Sequence, residues 1–187
     1  MNSTDMARKI VGDNSRLGRS DSDFYRTPAH AVYGLLNKEG FTGDIWECAC
    51  GDGAISKVLK DSKYNVFSSD VNDYGYGDVL DFLKTSTVKD NIVTNPPFNQ
   101  ALEFVIKSKE LAKYKIAMFL KTSFLEGAKR YNMFQDTLFP LRTVYQFSKR
   151  VSFGKDDGTH KNGGMIAFAW FVWERGYEGK PTIEWIY

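Results

Sequence analysis

The residues with the most evident chemistry are Asn95, Pro96, Pro97 and Phe98, in the stretch NIVTNPPFNQ. Ile92, Val93 and Thr94 read as a short apolar strand that stops at the asparagine. Proline has no backbone donor and a fixed φ, so a strand cannot run on through Pro96 and Pro97. The residue before each proline is pushed toward extended geometry. The turn is therefore stiff, and it holds one side-chain amide, one carbonyl and one aromatic ring in set directions. Upstream, IWECACGDGAIS reads as strand, glycine turn and helix. Gly51 and Gly53 let the backbone approach a ligand, and the following helix offers free amides. The third glycine of a dinucleotide fingerprint is missing. Asp70 ends the next strand, roughly 20 residues on, where such folds hydrogen-bond a ribose diol. A tight turn at the glycines and a helix cap at Asp70 are the plainer alternatives. Together the two features point to a nucleoside-containing cofactor.

Metal chemistry is not expected. Two cysteines, Cys48 and Cys50, and two distant histidines, His30 and His160, cannot form a zinc set with the usual spacing. The cysteines lie one residue apart at a strand end, which disfavours a mutual disulfide and fits a reducing compartment. They read as small packing residues around the glycine turn.

These residues must be positioned by the rest of the chain. Its 187 residues suit one domain with its own core, and 42% hydrophobic and 15% aromatic residues make it globular. A net charge of +2 permits a nucleic-acid partner only if the charge is unevenly spread. No apolar run reaches the roughly 18–20 residues of a membrane span, and no signal peptide is legible. The expected location is cytoplasmic, with no membrane partner. Residues 1–23 are polar and aperiodic and read as a mobile arm, whose Arg8, Lys9, Arg16 and Arg19 could touch phosphates. Thr27 and Pro28 read as N-cap and first helical residue of a helix to about Asn37. Strands are predicted at Ile45–Cys48, Tyr64–Ser69, Asn91–Thr94, Lys115–Leu120 and Thr143–Phe147, with at most one more in TIEWIY. Helices are predicted at Ala54–Lys60, Gln100–Ala112 and Gly127–Leu138. The run MIAFAWFVW, Met165–Trp173, is apolar throughout and reads as a strand buried on both faces. This alternation argues for an α/β sheet covered by helices on both sides.

Asn-Pro-Pro-Phe after a strand, downstream of Glu-x-Ala-Cys-Gly-x-Gly, resembles the class I S-adenosylmethionine-dependent amino-methyltransferases. The adenine-specific DNA enzymes are the nearest likeness, in their gamma-type motif order and in the compact form of phage or prophage members. The resemblance runs over most of the chain from about Phe24. It implies a Rossmann-like fold with a mostly parallel seven-stranded sheet, helices on both faces and an antiparallel strand, in one catalytic domain over 24–187. It also implies S-adenosyl-L-methionine as cofactor. FYRTP, with Tyr25, Thr27 and Pro28, resembles the segment that closes over the cofactor's methionine part. ECACGDG, with Glu47, Ala49, Cys50, Gly51 and Gly53, resembles the cofactor loop. SSDV, with Asp70 and Val71, is similar to the ribose-binding strand end. DFL is similar to the element whose acid and aromatic, here Asp81 and Phe82, hold the cofactor's adenine. LKTSFLEG and FSKRVSFG resemble later segments of compact members.

The resemblance gives the opening turn a task. An amine conjugated with a purine is a poor nucleophile. If the Asn95 oxygen and the Pro96 carbonyl accept its hydrogens, its lone pair can be aimed at a sulfonium methyl without a strong base. Phe98 would stack on the extruded base, a contact of about 1–3 kcal/mol, against the few kcal/mol needed to unstack a nucleotide. Phe153 is expected on the base's opposite face or in the core. Lys149 and Arg150 are expected on flanking phosphates or in solvent. Gly154–Gly164 reads as a mobile loop beside the site.

Gamma-type enzymes usually carry a separate target-recognition domain after the catalytic one, and the expectation here is a catalytic domain without one. Relaxed sequence choice, reading by the short loop, or recognition through a homodimer or a partner subunit are the consequences. Phenylalanine after the prolines also keeps RNA in view, because several RNA adenine and guanine methyltransferases share it. The expected activity is methyl transfer to the 6-amino group of adenine in DNA, within a bacterial or phage-infected cell. The alternatives are an RNA base, a protein glutamine, and an inactive cofactor-binding or anti-restriction protein.

Overall fold

The computed structural model describes residues 25–152 and 166–187. The expected arm over 1–23, Phe153 and the Gly154–Gly164 segment lie outside them. In chain order the elements are α1 (Ala29–Leu36), β1 (Ile45–Glu47), α2 (Ala54–Asp61), β2 (Val66–Asp70), β3 (Asp78–Val79) and β4 (Lys89–Thr94). Then come α3 (Ala101–Leu111), β5 (Ala112–Lys121), α4 (Tyr131–Phe134), β6 (Leu141–Phe147), β7 (Phe168–Glu174) and β8 (Thr182–Ile186).

The strands form one eight-stranded sheet in the order β3-β2-β1-β4-β5-β7-β6-β8. Strand β7 runs antiparallel to both β5 and β6, and the other neighbours are parallel. TIEWIY supplies β8, an edge strand parallel to β6, and the count exceeds the expected seven because of the short strand β3 (Asp78–Val79), which was not predicted. Side chains alternate across a strand, and here the alternation divides two cores. Ile45, Val93, Phe119, Trp170 and Val172 pack with Ala31, Val32 and Leu35 of α1 and Ile55, Val58 and Leu59 of α2. Trp46, Ile92, Met118, Phe171 and Trp173 pack with Phe104 and Val105 of α3 on the other face. Strand β7 feeds both cores, so its sequence is apolar at nearly every position, as read above.

Three expectations need correcting. Pro28 is the cap residue itself, with φ −64° and ψ 143°, and α1 begins at Ala29. Thr27 does not cap it, because its hydroxyl accepts from the Asn95 amide (3.0 Å). The helix predicted over Gly127–Leu138 is only a 3-10 turn at Ala128–Arg130 followed by α4. Asp136 stops it by accepting from the Leu138 and Phe139 amides, a local bond that competes with helix. Finally, α3 ends at Leu111 and passes into β5 without a loop. Arg175 covers that junction, donating to the carbonyls of Lys109, Ala112 and Lys113. Among the described residues no helix is long and apolar enough to cross a membrane.

At the end of the sheet away from Asn95, the buried Glu39 carboxylate meets Lys115 (2.9 Å), Arg142 (3.2 Å) and the Tyr145 hydroxyl (2.6 Å). Glu174 reaches Arg142 from β7 (2.7 Å). Removing one partner of a buried ion pair costs about 3–5 kcal/mol. Glu39→Gln is expected to cost about 3 kcal/mol and lower the melting temperature by roughly 10 °C. Thermal unfolding followed by circular dichroism checks this, and an unchanged Tm would deny the network its role.

Candidate active site

Chain order makes β1 central, with β2 on one side and β4 on the other. The strand order therefore reverses between β1 and β4, the place where open α/β sheets bind ligands. A cavity of about 400 Å³ opens there, at the carboxyl ends of β1, β2 and β4. Its wall includes Glu47, Ala49, Cys50, Asp70, Val71, Asp81, Phe82 and Asn95–Phe98, together with Tyr25 and Thr27 from before α1.

The glycine turn has the backbone its residues permit. Gly51 and Gly53 have φ of 50° and 79°. A Cβ on Gly53 would lie 2.4 Å from the Tyr76 ring. Neither glycine lines the cavity itself; they shape the turn that does. The Gly51 amide donates to Asp70 Oδ2 (3.0 Å), and Asp70 Oδ1 accepts from the Asn72 amide (3.0 Å). Asp70 is thereby locked at the strand end while its oxygens keep further lone pairs.

Glu47 is buried, and its Oε2 accepts from the Ser56 amide (2.7 Å) and from the Ser56 hydroxyl. Ser56 Oγ also lies 2.6 Å from Ser68 Oγ. Burial pushes the Glu47 carboxyl up to about 8, with Asp52 and Asp70 adding to the effect. Asp81 is held below the usual carboxylate range by its hydrogen bond to Lys84 (2.7 Å). Phe82 is nearly inaccessible and fixed between Phe104, stacked at 5.0 Å, and Trp46, edge-on at 5.2 Å. Cys48 and Cys50 are free thiols, and burial raises both, Cys50 to about 12.

Asn95 is held by its nitrogen. Nδ2 donates to the Tyr25 carbonyl (3.0 Å) and to the Thr27 hydroxyl (3.0 Å). A carbonyl only accepts, so the amide nitrogen must face it and the oxygen must face the other way. That oxygen, Oδ1, is buried with no hydrogen-bond partner among the described residues. Phe98 stacks on Tyr25 at 5.4 Å and packs against Phe168 at 5.5 Å, with Lys121 Nζ 4.6 Å from its ring centre. The strap over the cavity is pinned at a second point, where Arg26 pairs with Asp52 of the glycine turn (2.9 Å).

Some expected residues lie elsewhere. Pro28 is buried behind the strap and does not line the cavity. Lys149 and Arg150 are exposed and also absent from its wall, and Lys149 Nζ sits 4.1 Å from the Tyr187 ring centre. Phe153 is outside the described residues. Ser56, Ser68, Lys121 and Phe104 were not singled out by sequence reasoning. Ser56, Ser68 and Lys121 lie inside the stretches IWECACGDGAIS, SSDV and LKTSFLEG, but their roles depend on contacts between elements, which no local pattern shows. Among the described residues no group of histidine, cysteine and acidic residues could hold a metal.

No protein-family model matches the chain, and neither does any curated protein sequence. Solved structures do match it in shape. A candidate RNA methyltransferase from Pyrococcus horikoshii superposes with a TM-score of 0.62 at 13% identity, over 95% of this chain and all of that one. The modification subunit of a candidate type I restriction enzyme from Vibrio vulnificus gives 0.61 at 14% identity, covering 96% of this chain and 49% of the subunit. Magnesium protoporphyrin IX methyltransferase from Synechocystis, solved with S-adenosylmethionine bound, gives 0.55 at 12% identity over 94% and 98% of the two chains. At these identities the likeness is one of fold, and it is the class I methyltransferase fold that this chain adopts.

Proposed function

We propose that this protein transfers a methyl group from S-adenosyl-L-methionine to the exocyclic 6-amino group of adenine in DNA. The observation that carries the reading is the buried, unpartnered Oδ1 of Asn95, turned away from the strap that holds the same amide's nitrogen. An unsatisfied buried acceptor costs about 1–3 kcal/mol. A substrate N–H donor would remove that cost, and an aromatic amine is such a donor.

The cavity suits the cofactor by size and by chemistry. At about 400 Å³ it lies within the range of small-molecule sites. Asp70 can accept from a ribose diol, Phe82 and Asp81 can hold an adenine, and Glu47 can face an ammonium group. S-adenosylmethionine, when bound, supplies a methyl group activated by a positively charged sulfur. The chain's own part is to orient the amine. Asn95 Oδ1 and the Pro96 carbonyl accept its two hydrogens, which directs the nitrogen lone pair along the line of transfer. A methyl group passing to nitrogen would give up its bond to sulfur, and those two oxygens would then face the positive charge growing on nitrogen. The spare proton then leaves to water. Phe98 provides the ring on which the base stacks, in the place that Tyr25 or Lys121 now holds against it.

RNA is the second reading, favoured by the similarity in fold to the Pyrococcus horikoshii protein. The resemblance to a restriction modification subunit, of which this chain spans 49%, supports target recognition through a second copy or a partner subunit. Isotope-labelled cofactor with genomic DNA, total RNA and protein substrates, followed by mass spectrometry of the labelled product, tests the assignment. N6-methyladenosine in RNA alone would replace the DNA reading, and label in glutamine would replace both. Cofactor binding with no transfer to any of them would favour an inactive binding protein.

Asn95→Ala is expected to lower kcat at least about 100-fold, the usual loss for one group facing transition-state charge, with cofactor Kd within about twofold. Thr27→Val loosens the same amide without touching its oxygen and is expected to keep most turnover. Equal activity in Asn95→Ala and wild type would remove the proposed role. Glu47 yields a pH prediction. With its carboxyl raised to about 8, the free protein holds it protonated at neutral pH. A bound ammonium favours the ionised form, so cofactor binding at pH 7 should release close to one proton. Affinity should rise with pH up to about 8 and then level. Calorimetry in buffers of different ionisation enthalpy measures this, and Glu47→Gln should abolish it; a wild type that releases no proton would remove Glu47 from the ammonium.

A further inference from the structure

A second, smaller cavity of about 110 Å³ lies on the other side of Phe98 from the glycine turn. Phe98 is shared by both walls. The remainder comes from the end of β5 and the turns that follow it: Leu120, Lys121, Ser123, Phe124 and Arg130, with Ala101 of α3. Strand β5 is parallel to β4 with Met118 opposite Thr94, so its last residue, Lys121, lies three residues beyond the end of β4. The volume is far below that of sites for whole ligands, which begin near 300 Å³, so it can take a single group.

The wall is cationic. Lys121 forms no ion pair with a carboxylate among the described residues; its Nζ rests 4.6 Å from the Phe98 ring centre. Arg130 likewise meets no carboxylate among them. It donates to the carbonyls of Ser123 (3.4 Å) and Glu126, lies over Phe124 at 4.9 Å, and leaves Nε buried without an acceptor. Gly127 makes that fold-back feasible: at φ 130° it has no Cβ, and one built there would lie 2.7 Å from the guanidinium. The other cations at the site differ, since Arg26 pairs with Asp52 and Lys84 with Asp81.

We infer that this cavity is a phosphodiester subsite, in which Lys121 and Arg130 hold a backbone phosphate of the strand whose base stacks on Phe98. The inference rests on the nucleic-acid reading of the neighbouring site and extends it. A small anion satisfies what the wall lacks, namely an acceptor for Arg130 Nε and a counter-charge for Lys121. Ser123 adds a hydroxyl donor within the same wall. None of Glu47, Asp70 and Asp81 lines this smaller cavity, so a phosphate held there does not meet those carboxylates.

Binding of a fluorescein-labelled single strand, as DNA and as RNA, is read by anisotropy across a salt series, with a neutral-backbone peptide nucleic acid of the same sequence as the third arm. Lys121→Gln is expected to weaken binding of both charged strands about tenfold at low salt. It should lower the salt slope by about 0.7, the value for one lost contact to a single strand. The neutral strand should bind wild type and variant alike. Lys129→Gln, a neighbouring surface lysine outside the cavity wall, should change the slope little. Arg130→Gln, if its melting curve matches wild type, should repeat the Lys121 effect. An unchanged slope in Lys121→Gln, an equal change in Lys129→Gln, or an equal loss on the neutral strand would overturn the subsite. Wild-type binding without methyl transfer would instead count against the proposed activity and leave the subsite standing.

Discussion

The site depends on which way one amide faces. Asn95 could present nitrogen or oxygen to the cavity, and the Tyr25 carbonyl decides, because it can accept from nitrogen and cannot pair with oxygen. Around that constraint the other parts align. The prolines prevent the chain from turning the amide by continuing the strand. Thr27 gives up helix capping to hold the second amide hydrogen. The strap over 25–27 is in turn fixed at its far side by the Arg26–Asp52 pair on the glycine turn. The Asn95 amide and the glycine turn are thus tied together through a segment that belongs to neither.

The two ends of the sheet are built differently. Glu39, Lys115, Arg142 and Glu174 satisfy one another at the end away from Asn95. At the other end, Asn95 Oδ1 and Arg130 Nε are two of the buried polar atoms that have no partner among the described residues; others, such as Asn91 Oδ1 and Trp173 Nε1, lie toward the Glu39 end. Such groups are rare in folded proteins, and ligand sites are among the places that explain them. Between the two ends, Trp46, Phe119, Trp170, Phe171 and Trp173 are fully buried and keep the strand ends from shifting. A rigid sheet is needed because orientation carries most of the proposed chemistry.

Charge is likewise divided. Glu47, Asp70 and Asp81 surround the cofactor-sized cavity, and Lys121 and Arg130 line the smaller one across Phe98. This division matches the proposed reading, with a cationic donor in the larger cavity and an anionic strand at the smaller one. The protein as a whole carries only +2, so the arrangement lies in placement rather than in net charge.

The sequence by itself determined the punctuation and the periodicity. Pro96 and Pro97 end β4 whatever surrounds them, Gly51 and Gly53 permit the positive-φ turn, and the unbroken apolar run over Phe168–Trp173 requires cover on both faces. These are short-range steric and hydrophobic demands, so they can be read along the chain, and with the motif resemblance they led to the class I methyltransferase fold. Tertiary structure decided what depends on partners distant in sequence. Thr27 became a ligand for Asn95 instead of a helix cap, Asp136 broke the expected Gly127–Leu138 helix, and TIEWIY found an open edge beside β6. The raised Glu47 carboxyl and the absence, among the described residues, of counter-charges at Lys121 and Arg130 have the same origin. Desolvation and ion pairing are fixed by which elements meet, and no local pattern in the chain encodes that meeting.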